Sequence, residues 1–434
     1  MTVGPDGALP DAAALDTVEP DAATPSFGVA RLPRLVVGAG RITEVPGLIA
    51  AFGRSVLLVT GARSFRESAA WTSLVASLEE AGLGWDHVAV TGEPSPELVD
   101  GAVAARRREP PDVVVGIGGG SALDAAKAIA GLLRSGTVAL DHLEGVGRGL
   151  PYPGPATPFI AVPTTAGTGS EVTKNAVLSG RLPNAAPGAP PFKKSFRDER
   201  LVAQVVVLDA DLLATCPPAV IAGDGMDAVT QLLEAFTSIG ASPFTDAVAR
   251  TGLEAAAGAL PAWHAAAAAG APPEASATAR AATARAAMSW AACCSGIALA
   301  NAGLGAVHGI VAALGAAFPV PHGTGCGMLL AATTRANVAA LEERLPGSQA
   351  LARYADAGRI LAGDSALSDE QARDALGAKL DAWTTALHMP RLADFGAAPH
   401  HLAGLVAESR GSSMRTNPVV LTDGEIAGIL AASL

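Results

Sequence analysis

Val113-Val-Val-Gly-Ile-Gly-Gly-Gly-Ser-Ala-Leu-Asp-Ala-Ala-Lys127 decides the fold, and Ala161-Val-Pro-Thr-Thr-Ala-Gly-Thr-Gly-Ser-Glu-Val-Thr173 follows the same plan further along. Each reads as a buried strand running into a turn rich in glycine and hydroxyl side chains. Such turns leave backbone N–H groups uncovered, where phosphate oxygens can approach them. One turn alone carries little information. Two in series, each after an apolar strand, predict a nucleotide site. In the first, the glycines sit where strand becomes helix, and Ser121 reads as the helix N-cap. A pyrophosphate placed there meets free N–H groups and the positive end of the helix dipole.

Outward from these turns, short β-branched runs alternate with helical stretches over residues 27–215. The expected strands are Ser55–Thr60, Trp85–Val90, Asp112–Ile117, Phe159–Val162 and Gln204–Leu208, with helices such as Trp71–Ala81 and Leu98–Arg107 between several of them. That alternation predicts a parallel sheet with helices on its faces. The proline-rich stretch Gly180–Pro191 interrupts the pattern and reads as an inserted surface loop. After Asp209 the strand signals stop. From about Pro217 the chain is Ala- and Leu-rich, with breaks near Gly240, Gly270–Pro273, Pro319–Pro321, Pro346 and Pro390, and reads as an all-helical second domain over 216–434.

Composition narrows the function classes. A chain of 434 residues that is 50% apolar can fill two cores, and with only 4% aromatic residues those cores must be Ala, Val and Leu. A net charge of −11 offers no electrostatic footprint for nucleic acid or an anionic membrane surface. Four cysteines, including the adjacent Cys293 and Cys294, make no disulfide framework, so a reduced cytoplasmic setting is expected. Residues 1–26 read as a disordered acidic Ala/Pro extension without the basic start or apolar run of a signal peptide. No stretch reads as a membrane span.

Further motifs follow in order: Gly225-Met-Asp-Ala-Val-Thr-Gln-Leu-Leu-Glu234, Val307-His-Gly309, Pro321-His-Gly323 and Asn417-Pro418. Together with Gly118-Gly-Gly-Ser121 and Pro163-Thr-Thr-Ala-Gly-Thr-Gly-Ser-Glu171 they resemble the iron-containing (group III) alcohol dehydrogenase family, from about Phe27 to the C-terminus. The resemblance is specific for the family and not for a substrate. It implies a Rossmann-like dinucleotide-binding α/β domain joined to an all-α domain, the dehydroquinate synthase-like architecture, with the site in the cleft between them. A homodimer is implied as well.

By that resemblance the two turns hold the cofactor's pyrophosphate and nicotinamide-ribose portions, through Gly118, Gly119, Gly120, Ser121 and Asp124 in the first and Thr164, Thr165, Thr168 and Ser170 in the second. Lys127, on the helix behind the first turn, reads equally as a solvated helix residue or a functional one. Cofactor choice is written after the second strand, where an acidic residue would hydrogen-bond the ribose and repel a 2′-phosphate. Here Gly61 stands where NAD-preferring relatives carry Asp, and Arg63 can pair with a phosphate. That favours NADP(H) over NAD(H). Asn175 and Lys194 match family positions beside the nicotinamide and substrate, although the neighbouring Lys193 leaves the register open by one residue.

The resemblance also places a metal. Asp227 and position 231 lie four apart on one helix face, where the family has Asp and His; this chain has Gln231. His308 and His322 match the remaining two ligands, with His322 expected in a turn after Pro319 and Pro321. A carboxylate and two imidazoles with an open position suit Fe(II) or Zn(II). Three readings stand: Gln231 as a fourth ligand, Gln231 bonded to a metal-bound water or substrate, or a metal-free site in which a histidine acts as acid. Ala312 occupies a position where many relatives carry a proton-relaying His, so water, the ribose, His308 or Asn175 must carry the proton. Arg415 either holds an anionic group of the substrate or belongs to a plain polar turn. Trp290, Phe318 and the Cys293–Cys294 pair read as core filler.

The expected reaction is hydride transfer between NAD(P)(H) and a small alcohol/aldehyde or ketone. The alternatives are a metal-independent reductase of the maleylacetate reductase type acting on an anionic oxo-acid, a lyase resembling 3-dehydroquinate synthase, and a catalytically silent nucleotide-binding protein.

Overall fold

The computed structural model describes residues 26–182, 191–270 and 275–434. The acidic extension, apart from Ser26, lies outside the described residues, as do the tip of the proline-rich insert and the break after Gly270.

Six strands form a parallel sheet: β1 (Arg34–Val37), β2 (Ser55–Gly61), β3 (Gly84–Val90), β4 (Val113–Gly118), β5 (Phe159–Pro163) and, after an antiparallel pair of β6 (Asn175–Gly180) and β7 (Phe192–Arg197), β8 (Val205–Leu208). Their order is β1-β8-β5-β4-β2-β3. The chain runs outward from β2 to β3 and then returns to lay β4 on the other side of β2. The C-terminal ends of β2 and β4 therefore flank a switch point, where open α/β sheets bind ligands. Four helices accompany the sheet: α1 (Val45–Ala50), α2 (Ala69–Glu80), α3 (Pro96–Arg106) and α4 (Gly120–Leu132).

The strands are apolar in both alternations because both faces are covered. Leu57, Val59, Val114 and Ala161 pack toward α3 and α4, while Val56, Leu58, Val115 and Ile160 pack toward α1 and α2. All five expected strands form, within one or two residues of the expected bounds. The edge strand β1 and the β6–β7 hairpin were not expected. The hairpin pairs Gly180 with Phe192 at the two ends of the proline-rich stretch, whose residues 183–190 lie outside the described residues.

From Pro218 onward the described chain is helical: α5 (Pro218–Thr237), α6 (Pro243–Ala268), α7 (Ala275–Ala302), α8 (Ala306–Ala317), α9 (His322–Arg344), α10 (Gln349–Ala362), α11 (Asp369–Ala386), α12 (Leu402–Glu408) and α13 (Asp423–Ala432). α5 is buried along nearly its whole length, from Ile221 to Thr237, and forms the axis of a core rich in Ala and Leu. Cys293 and Cys294 are buried core residues, as expected. Among the described residues no single helix is long and apolar enough to cross a membrane.

Candidate active site

The two glycine turns lie side by side because β4 and β5 are neighbours. The Thr164 N–H donates to the Gly118 carbonyl at 3.0 Å, which ties the turns together. The space between them is closed to side chains. A Cβ on Gly118 would sit 2.6 Å from Ala122 Cβ, one on Gly119 3.2 Å from Thr165 Cγ2, and one on Gly120 2.9 Å from Thr168 Cγ2. Gly118 also faces the backbone nitrogen of Gly61, at 3.3 Å from such a Cβ, so the ends of β2 and β4 meet. Gly119, not Ser121, is the N-cap of α4, and no side chain caps it. The expected Ser121 cap is corrected: the glycine takes the extended cap conformation, and Ser121 lies inside the first turn. The first N–H groups of α4 are thereby left for a ligand.

Behind the first turn, Lys127 is fully buried. Its ammonium donates to the carbonyls of Ser170 (2.7 Å) and Asn175 (2.5 Å) and to Ser170 Oγ (3.0 Å), and lies 3.6 Å from Asp124 Oδ1. The solvated reading of Lys127 is excluded. Asp124 accepts from the Ser170 hydroxyl and from the Val177 N–H at 3.1 Å, so its carboxylate faces the second turn and β6. Burial pushes the Asp124 carboxyl up and the Lys127 ammonium down, each opposed by the other's charge. Glu171, also buried, is pushed up to about 7 by desolvation.

The second turn is latched to the helices. Gly169 has φ 61°, in the left-handed region, and a Cβ there would collide with Gly296 of α7. Two glycines thus bring loop and helix backbones into contact. Gln231 Nε2 donates to the Thr168 carbonyl at 3.5 Å, and Gln231 Oε1 accepts from the Ser295 hydroxyl at 2.7 Å. Asp224, one turn before Asp227, bonds Thr165; burial pushes its carboxyl up to about 6, aided by the Asp227 charge and opposed by the Thr165 bond.

Across the cleft, Asp227 on α5, His308 on α8, and His322 and Cys326 on α9 bring one ligand atom each within 4.8 Å of one another. His308 Nε2 lies 3.3 Å and His322 Nε2 3.9 Å from Asp227 Oδ1. Cys326 Sγ lies 3.4 Å from the same oxygen and 3.8 Å from His308 Nε2. His322 is the first residue of α9 rather than part of a turn, with Pro321 as N-cap; the prolines before it set the helix start. Its side chain is 42% exposed, whereas those of Asp227 and His308 are buried.

Electrostatics hold this set together. Burial opposes ionisation of Asp227, but the His308 hydrogen bond and the charges of His322 and His308 prevail and lower its pKa. Burial likewise works to lower His308, and Cys326, Glu234 and Asp227 outweigh it and raise the imidazole well above its usual range. His322 is lowered: protein surrounds the ring even where solvent reaches it, and the charges of His308 and Lys193 add to that. Burial pushes the Cys326 thiol up to about 12.

Two residues escaped the sequence reading. Glu234 Oε2 receives His308 Nδ1 at 2.6 Å, and its other oxygen receives the Val307 N–H at 2.7 Å, so it fixes the ring with Nε2 facing Asp227. Its signal was its place seven residues, two helical turns, after Asp227. Cys326 is the second; its signal was its place one turn after His322.

Lys193, ion-paired with Glu93 at 2.9 Å, is the lysine whose charge is felt at His322, while Lys194 lies on the opposite face of β7, in register with Leu178. Asn175 opens β6, its carbonyl accepts from the Lys127 ammonium, and it lines a cavity of 160 Å³ with Arg31, Lys174 and Arg197. Arg63 is exposed and paired with Glu67. Ala312 and Arg415 are exposed.

Two glycine turns at the sheet's switch point, and a mostly buried group of side chains that could hold a metal ion, are the layout expected of a dinucleotide-dependent oxidoreductase. Residues 33–210 match the family described as iron-containing alcohol dehydrogenase, and residues 221–434 match its C-terminal part. The chain belongs to the iron-containing alcohol dehydrogenase family. It is 35% identical over 347 residues to the "Probable alcohol dehydrogenase EutG" of Salmonella typhimurium, covering 79% of this chain and 78% of that protein. To the NAD-dependent methanol dehydrogenase of Bacillus methanolicus it is 33% identical, over 67% of this chain and 71% of that one. The crystal structure of a 1,3-propanediol oxidoreductase superposes with a TM-score of 0.80 at 27% identity, covering 94% of this chain and all of that one.

Proposed function

We propose that the chain catalyses reversible hydride transfer between a nicotinamide dinucleotide, NADP(H) in preference to NAD(H), and a small alcohol/aldehyde pair, at a divalent cation, Fe(II) or Zn(II), held by Asp227, His308 and His322. The observation that carries this reading is the convergence of those three buried or cleft-facing ligand atoms beside a crevice closed to every side chain larger than glycine.

The cation, when bound, supplies Lewis-acid polarisation of a carbonyl oxygen, and the nicotinamide gives or takes the hydride. Everything else falls to the chain. Gly118, Gly119 and Gly120 present α4's free N–H groups to the pyrophosphate. Thr164, Thr165, Thr168 and Ser170 shape the second wall, which Lys127 and Asp124 brace from behind. Glu234 holds His308 in one tautomer, and both ring nitrogens are then engaged, which argues against His308 as the acid. Solvent reaches the ligand set at His322, and water entering there carries the proton.

Four free cysteines support a reducing cytoplasmic setting. A homodimer is expected from the family alone.

The test is NADPH oxidation with a short-chain aldehyde by anaerobically purified protein, before and after chelation and after re-addition of Fe(II) or Zn(II). Loss and recovery are expected. Activity indifferent to chelation would defeat the metal reading and favour a metal-independent oxo-acid reductase. Cofactor binding without turnover of any substrate would favour a silent nucleotide-binding protein.

A further inference from the structure

We propose that the thiolate of Cys326, and not the amide of Gln231, is the fourth protein ligand of the cation, giving an Asp-His-His-Cys set suited to Zn(II). This rests on the metal reading above and deepens it by naming the ligand and the metal.

Geometry carries the proposal. Zinc bonds of about 2.0 Å to N and O and about 2.3 Å to S, arranged tetrahedrally, separate the ligand atoms by about 3.3–3.6 Å. Four separations within the set are 3.3, 3.4, 3.8 and 3.9 Å, two of them made by Cys326 Sγ. The two remaining separations, from His322 to His308 and to Cys326, lie within 4.8 Å, so all four atoms stand close enough to share one ion after small shifts. His322 and Cys326 stand at i and i+4 on α9, so one helix face delivers both. Gln231 has other work. Its oxygen accepts the Ser295 hydroxyl, and its nitrogen points to the Thr168 carbonyl, which makes it a latch for the cofactor turn.

A thiolate does not close the site to substrate. Cys326, Asp227 and His308 are buried, and the one exposed ligand is His322. Cys326 therefore lies at the back of the set, and the His322 side is the one left open to a substrate oxygen. Ion binding displaces the thiol proton, which leaves to solvent, and the soft sulfur favours Zn(II) over Fe(II).

The test is anaerobic titration of the full-length apoprotein with Co(II), whose thiolate complexes absorb strongly in the near ultraviolet. One equivalent with that sulfur-to-cobalt band is expected. The band should vanish in Cys326→Ser and persist in Gln231→Ala, and Cys326→Ser should bind at least roughly 100-fold more weakly, since even groups behind the ligands cost 10–100-fold. One equivalent bound without the band, or a band that survives Cys326→Ser, overturns Cys326 as ligand while leaving the metal reading intact. No Co(II) bound by the wild type defeats the metal reading itself. If Cys326→Ser does not fold, the wild-type band and its persistence in Gln231→Ala still decide. Competition between equimolar Fe(II) and Zn(II) should load Zn(II); preferential Fe(II) loading would overturn the metal assignment.

Discussion

On the sheet side the proposed cofactor surface is backbone: Gly118, Gly119 and Gly120 leave no room for side chains, and no side chain caps the start of α4. On the helical side it is side chains alone: Asp227, His308, His322 and Cys326 converge from three helices, with Glu234 behind His308. The first wall is sensitive to volume, because a Cβ at Gly118 or Gly120 already meets a neighbour within 3 Å. The second is sensitive to chemistry, because a group of similar size with the wrong charge leaves a buried partner uncompensated. Lys127 complicates the division, since the backbone wall is itself braced by a buried charge.

That brace gives the largest expected effect. Lys127→Ala removes a buried ammonium that joins α4 to Ser170 and Asn175 and leaves Asp124 without its cation. Breaking a buried pair from one side costs about 3–5 kcal/mol, read by chemical denaturation of the apoprotein. A loss below about 1 kcal/mol would mean that the turn holds itself and that the brace is incidental.

Glu171, also behind the turn, should show its cost through pH. Its folded pKa of about 7 is raised from 4.5, so the stability it contributes is complete below the unfolded value and is lost as pH rises through about 7. Glu171→Gln stays neutral throughout. Its advantage over the wild type should therefore grow between about pH 5 and about pH 8, to no more than about 3 kcal/mol. Parallel Tm–pH curves for the two proteins would show that Glu171 is not strongly perturbed.

On the helical side, Glu234→Gln keeps the size of the group and removes the carboxylate behind His308. The amide can still accept from Val307 N–H, but it can also present an N–H to Nδ1 and stabilise the wrong tautomer. Metal affinity should fall 10–100-fold, about 1.4–2.7 kcal/mol, by competition with a chelating dye. Unchanged affinity would mean that helix packing alone orients the ring.

The same division explains what could be read in advance. Glycine spacing after an apolar run is a local signal, so both turns and five of the six sheet strands were legible. β1 was not, because four residues between Pro33 and Gly38, only Val36 of them buried, carry too little pattern. Nor was the β6–β7 hairpin, whose second strand begins Phe-Lys-Lys and follows four prolines. On the helical side the relevant proximity is three-dimensional. Cys326 is 99 residues from Asp227 in sequence yet 3.4 Å away, and a buried cysteine on a helix reads as filler until its neighbours are known. Ser121 failed as a cap because α4 begins one residue before it, at Gly120, which puts the cap at Gly119.

The smallest effect expected lies at the end of β2, where backbone and side-chain logic meet. Nothing lies within 4 Å of a Cβ built on Gly61, so Gly61→Asp adds a carboxylate without steric cost. A carboxylate there would accept from the ribose hydroxyls and repel a 2′-phosphate. Arg63, which would pair with that phosphate, already contacts Glu67 at 3.1 Å, an exposed pair worth less than about 1 kcal/mol. The wild-type preference for NADPH should accordingly be modest. Gly61→Asp should move the ratio of kcat/KM for NADPH to that for NADH by about tenfold toward NADH, or about 1.4 kcal/mol. Glu67→Gln should move it slightly the other way by releasing Arg63. An unchanged ratio in Gly61→Asp would place the ribose away from β2 and remove the basis for an NADP(H) preference; a shift only in Glu67→Gln would leave Arg63 as the sole determinant.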